Sequence, residues 1–191
     1  MTDNKIKYNS GNVKGDAEIA RAAEDKAIRI LELAFDGKAR FDNLHDDPEY
    51  WHRGDVRMTS SDGKYELYGD VKDESRIYKT RNVFAENYKY FHSNPNQKAK
   101  GWMRSSQYDL VFILDDIGDY IYVLDFRKLK SIYENYTLRK SKLSDCNAWG
   151  NCVPLRACRK HGVLRFEIKY KENKDGSIEI ESFKNCCNNA A

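Results

Sequence analysis

Residues 54–72 read GDVRMTSSDGKYELYGDVK. The Asp62-Gly63 step sits between two runs that alternate apolar and polar residues. An Asp-Gly pair flanked in this way marks a tight hairpin, because both turn positions favour φ > 0. With Asp62 and Gly63 as the central pair, cross-strand partners have position numbers adding to 125, and Asp55 stands directly opposite Asp70. Val56, Met58, Leu67 and Val71 then share one face with Tyr65, while Asp55, Arg57, Asp70 and Lys72 share the other. Carboxylates directly opposite one another destabilise a sheet. The arrangement makes sense where a cation normally sits between them. The plainer reading is a half-exposed face on which Arg57 and Lys72 neutralise Asp55 and Asp70, each pair worth about 0–1 kcal/mol.

The chain has 191 residues, enough for one domain with a sizeable core. With 40% hydrophobic and 33% charged residues it has the composition of a soluble globular protein. A net charge of +3 neither demands nor excludes a nucleic-acid partner. The 13 tyrosines suit half-buried sheet, interfaces and base stacking equally. The first 20 residues are polar and no run is long enough to span a bilayer, so a cytoplasmic protein with no membrane partner is expected. Five cysteines, an odd number, fit reduced thiols better than a disulfide framework.

Outward from the hairpin, residues 1–14 are polar and Gly/Asn-punctuated, a loose start. Ile19, Ala23, Ala27, Ile30, Leu31 and Ala34 recur at helical spacing, with Asp16 to cap the helix and Gly37 to stop it. Residues 38–52 read as a connecting loop, and its His45, Asp46, Asp47, Glu49 and His52 as a solvated acidic cluster, since their spacing matches no standard ligand pattern. After the hairpin, 82–88 (NVFAENY) reads as a third strand carrying Glu86, followed by a loop that ends at Lys100 and a short turn or helix at Ser105. Residues 109–114 (DLVFIL) form a buried strand and 121–124 its return, joined by an aspartate-rich polar turn. A helix over 125–136 continues into a basic run, Arg139, Lys140 and Lys142, whose plain reading is a solvated face. Cys146, Cys152, Cys158, Cys186 and Cys187 lack the paired spacing of structural zinc sites, so zinc is not expected and ordinary semi-buried thiols are. A strand at 163–170 and a partner at 177–182 close the chain.

Asp70-Val71-Lys72 places an acid and a base on one face of a strand, and Asp55 reaches that face from the next. Two such carboxylates can hold a hard divalent ion, with sites left for waters and a phosphate. The ion polarises the phosphate and lowers the pKa of a bound water. Lys72 can orient that water or stabilise developing charge, and Glu86 can complete the metal shell from one strand further on.

An Asp followed by a strand-turn-strand interval and then Asp70-Val71-Lys72 resembles the PD-(D/E)XK nuclease superfamily. GDVK, NVFAEN, GWMRSSQYDLVFIL and YVLDFRKLK, in that order, resemble small nuclease-like proteins of phages and mobile elements. The resemblance covers roughly residues 16–136. It implies an α/β (α+β) fold: a restriction-endonuclease-like mixed central sheet flanked by helices over 15–138, with 139–191 as a Cys-containing C-terminal β-hairpin extension of the same domain. It implies Mg²⁺ or Mn²⁺ held by Asp55, Asp70 and Val71, catalytic roles for Asp55, Asp70, Lys72, Glu86 and Glu24, and Ser105 and Lys100 beside the substrate phosphate. The expected function is metal-dependent hydrolysis of phosphodiester bonds in DNA, with a homodimer as one arrangement. The alternative is an inactive nucleic-acid- or protein-binding module on the same fold, such as a phage counter-defence protein. Gly54 stands where the superfamily motif has proline, a departure read as harmless, and Asp70 where a Glu is usual.

Overall fold

The computed structural model describes residues 13–47, 49–50, 53–94, 96–142 and 146–187. The leading helix, α1 (Val13–Phe35), begins before Asp16 and ends at Asp36 and Gly37, both with positive φ (47° and 73°). Its Ala27, Ile30 and Leu31 are fully buried. Burial of an Ile or Leu side chain contributes about 1.5–3 kcal/mol, so this stripe anchors the helix to the sheet beneath it.

The stretch read as a connecting loop contains a strand, β1 (Ala39–Asn43), with Ala39 and Phe41 buried and Arg40 exposed between them. β1 pairs with β2 (Val56–Ser60), which pairs with β3 (Glu66–Asp73). The hairpin register is the expected one, with Val56 opposite Gly69 and Met58 opposite Leu67. The turn differs. Gly63 has φ +68° and Asp62 is not in the positive-φ region. The Ser60 amide donates to the Tyr65 carbonyl at 2.9 Å, enclosing a four-residue loop in place of a two-residue one. Tyr65 therefore sits at the mouth of the loop, 70% exposed, and not on the apolar face.

The chain continues through α2 (Ile77–Thr80), β4 (Asn82–Phe91), β5 (Lys98–Lys100), α3 (Trp102–Ser105), β6 (Leu110–Asp115) and β7 (Tyr120–Asp125). It ends with α4 (Phe126–Ile132), β8 (Leu138–Lys142), β9 (Cys146–Pro154), α5 (Leu155–Lys160), β10 (Leu164–Glu172) and β11 (Ile178–Asn185). The Asp125 side chain caps α4 by accepting from the Lys128 amide at 2.9 Å. The basic run after α4 is strand β8, not a continuation of the helix, and α5 is a helix that the cysteine spacing concealed.

Two sheets result. The larger is mixed, ordered β1-β2-β3-β6-β7-β10-β11, and among the described residues β3 and β6 form its one parallel pair. The smaller is antiparallel, ordered β5-β4-β9-β8. The fold is thus a mixed α+β arrangement whose main sheet is flanked by helices. Two readings change. β4 lies in the smaller sheet, not beside β3, and the β10–β11 hairpin is the edge of the main sheet, not an appendage to it. One core packs α1 against Phe41, Val56, Val71, Phe112 and Leu114. The other joins Val111, Ile113, Tyr122 and Leu124 of the main sheet to Val83, Ala85 and Val153 of the smaller one. The aspartate-rich turn is also more than polar surface. Asp115 is fully buried, accepts from the Gly118 amide, and burial pushes its carboxyl up to about 6.

Candidate metal centre

β3 alternates Val71 toward α1 with Asp70 and Lys72 toward the opposite face, beside Val111 and Ile113 of β6. Asp55 immediately precedes β2, and its carboxyl hydrogen-bonds that of Asp70. A hydrogen bond between two carboxyls needs a proton. Burial, that bond and the negative charges of Asp70 and Glu24 push Asp55 up to about 8, with Lys72 offsetting only part of the rise.

Asp70 is 4% exposed and pairs with the Lys72 ammonium. Burial alone lowers the pKa of Lys72, but the negative charge of Asp70 outweighs it and the net shift is upward. Half of the plainer pairing is therefore present, Lys72 with Asp70, and the other half, Arg57 with Asp55, is not. Arg57 binds Asp42 at 3.1 Å, and Arg53 lies 4.9 Å over the Tyr68 ring.

Glu24, on the inner side of α1, is 5% exposed and faces His45, whose Nδ1 lies 2.9 Å from Oε2. Burial raises Glu24, and His45 reverses only part of that. Donor atoms of Glu24, His45 and Asp55 all lie within 4.8 Å of one another. The backbone explains why. The Leu44 amide donates to the Asp55 carbonyl at 2.7 Å, extending the β1–β2 ladder by one pair and setting His45 beside the site. His45 is therefore not a member of a solvated loop cluster. Asp46 turns away to Arg21, and His52 lies outside the described residues.

Tyr108 is the residue that the sequence did not announce. It precedes β6, packs on Phe126 at 5.3 Å between ring centroids, and hydrogen-bonds Ser106. Burial and the charge of Asp70 push its hydroxyl up to about 12. The remaining expected residues stand elsewhere. Glu86 is in the smaller sheet, 3.9 Å from Lys89 and against Gly101, and is not among the main influences on Asp55, Lys72 or Tyr108. Ser105 is exposed, its hydroxyl donating to the Gly101 carbonyl at 3.0 Å, and Lys100 is exposed at the end of β5. The Val71 side chain is buried in the core under α1, so only its backbone carbonyl is available to a ligand. Cys158 is fully buried, Cys152 lies on β9, and Cys186 and Cys187 follow β11.

Comparison with protein-family models, with curated proteins and with solved structures finds no significant match. Among the described residues no helix is long and apolar enough to cross a membrane.

Proposed function

We propose that this chain is a divalent-metal-dependent nuclease that hydrolyses phosphodiester bonds in DNA on the restriction-endonuclease-like plan its motifs resemble. One observation carries the reading: two carboxyls, Asp55 and Asp70, meet in a largely buried site, with Lys72 on the same face of β3. Acids held this close mark a position where a cation relieves their repulsion.

The donor set fits such an ion. Glu24 and Asp55 offer carboxylate oxygens and His45 an imidazole nitrogen within 4.8 Å of one another, and Asp70 adjoins this group through Asp55. Apart from the His45 ring and the Lys72 ammonium, the buried Glu24 Oε2 and Asp70 Oδ2 have no further hydrogen-bond partner among the described residues. These residues would hold Mg²⁺ or Mn²⁺, which would supply Lewis-acid polarisation of a phosphate and a more acidic water.

Lys72 keeps its proton, so it acts as a cation and not as a base. Its ammonium, held by Asp70, is available to a phosphate oxygen as charge develops there. Tyr108 also stays protonated and adds a hydroxyl donor beside Lys72.

The test is cleavage of plasmid and oligonucleotide DNA with Mg²⁺ or Mn²⁺, in the native protein and in Asp70→Asn and Lys72→Gln. Cleavage should require the metal and fall about a hundredfold or more in both variants, with unchanged circular dichroism. A native protein that binds DNA yet cuts it with neither metal would select the non-catalytic binding module.

A further inference from the structure

The smaller sheet commits Val83, Ala85 and Val153 to the core it shares with the main sheet. Beyond the irregularity between Glu86 and Tyr88 its surface has a different composition. In register, Lys100, Tyr88, Trp149 and Lys140 form one row across all four strands, and Lys98 and Tyr90 stand in the next. Tyr88 stacks on Trp149 with ring centroids 6.4 Å apart and 29° between planes, and meets Tyr90 edge-on at 5.8 Å. The Lys98 ammonium lies 4.0 Å over the Tyr88 ring. The three rings are half-buried and the three lysines exposed. Among the described residues none of these lysines forms an ion pair.

Cross-strand aromatic pairs stabilise a sheet by themselves. They do not require unpaired lysines at both ends of the row. Half-buried rings between exposed cations suit a chain with separated phosphates and unstacked bases. A duplex keeps its bases stacked inside and presents no base face to such rings.

We propose that this face binds single-stranded DNA, with Tyr88, Tyr90 and Trp149 stacking on bases and Lys98, Lys100 and Lys140 along the phosphates. The inference rests on the nuclease reading for its purpose and deepens it by naming the form of the substrate. The connection to the metal centre is short in sequence: Lys100 leads through Gly101 and α3 to Ser106, whose side chain hydrogen-bonds Tyr108 beside Lys72.

The experiment uses full-length Asp70→Asn protein, so that bound DNA is not cut. Fluorescence anisotropy is followed with a labelled oligothymidylate and with the same strand annealed to its complement, across a salt series. The single strand should bind more tightly than the duplex. Trp149→Leu should weaken that binding about tenfold. Lys98→Gln and Lys140→Gln, at exposed positions that do not bear on folding, should each lower the log–log salt slope by about 0.7. A preference for duplex, or single-strand affinity unmoved by all three substitutions, overturns the proposal. Because binding is read without cleavage, platform-dependent binding by a protein that never cuts refutes the nuclease reading alone. Cleavage by the native protein, with binding indifferent to the platform, refutes this inference alone.

Discussion

The backbone of Gly54 lies against that of Gly69: a Cβ at Gly54 would stand 2.2 Å from the Gly69 carbonyl oxygen. Each glycine immediately precedes one of the paired acids, so this contact sets the spacing of Asp55 and Asp70. Gly54 also has φ +115°, a conformation that L side chains rarely adopt. Glycine at this position is therefore a requirement of this backbone and not interchangeable with proline, which holds φ near −65°. Gly54→Ala should destabilise the protein by about 2 kcal/mol or more, and Gly54→Pro by more again. Urea unfolding measures both, and near-native stability in either would refute this account of the contact.

Asp55 sets a pH dependence. An aspartate ordinarily titrates near 3.8, and Asp55 is pushed up to about 8. Between those values the folded protein keeps a proton that the unfolded chain has released. The stabilisation from Asp55 is therefore full below the lower value and lost as pH rises through the upper one. Glu74, raised to about 7, and Asp115, raised to about 6, act in the same sense. The diagnostic is thus the difference between native protein and Asp55→Asn. The melting temperature of the native protein should fall more steeply with rising pH, and Mg²⁺ or Mn²⁺ should restore it most at the alkaline end. Parallel curves would refute the assignment.

His45 bears on which metal the proposed site would prefer. An imidazole nitrogen favours a transition-metal ion over Mg²⁺, which prefers oxygen donors. His45→Ala should lower Mn²⁺ affinity about tenfold and change Mg²⁺ affinity less, as read by titration calorimetry. Equal losses would mean that His45 serves only to hold Glu24.

Tyr108→Phe removes one hydroxyl beside Lys72 and leaves the ring packed on Phe126. Cleavage should drop about tenfold, the cost of one hydrogen bond to a charged group, with little change in melting temperature. An unaffected rate would reduce Tyr108 to a wall of the site.

The pairing of Asp55 with Asp70 was legible because a hairpin is a local object. Its register follows from the turn and the alternation, and the four-residue loop around Gly63 keeps the same pairing that a two-residue turn would impose. The position of Glu86 was not legible. An alternating strand shows that it has a partner but not which one, and β4 pairs with β9, far along the chain. His45 was hidden for a related reason. β1 offers only Ala39 and Phe41 as apolar signals, and without that strand nothing links Leu44 to Asp55. Tyr108 gave no signal, since one tyrosine among 13 acquires meaning only from its neighbours.

The parallel β3–β6 pairing has a consequence for how this protein can be divided. The connection between those two strands contains β4 and β5, and the smaller sheet is completed only by β8 and β9 from after α4. The chain thus leaves the main sheet, returns to it through β6 and β7, leaves again through β8 and β9, and returns with β10. Neither sheet corresponds to one continuous stretch of chain, so cutting at any single point to isolate the Asp55–Asp70 site from the aromatic face would divide the strands of one sheet. The two surfaces therefore belong to one folding unit that no single cut divides.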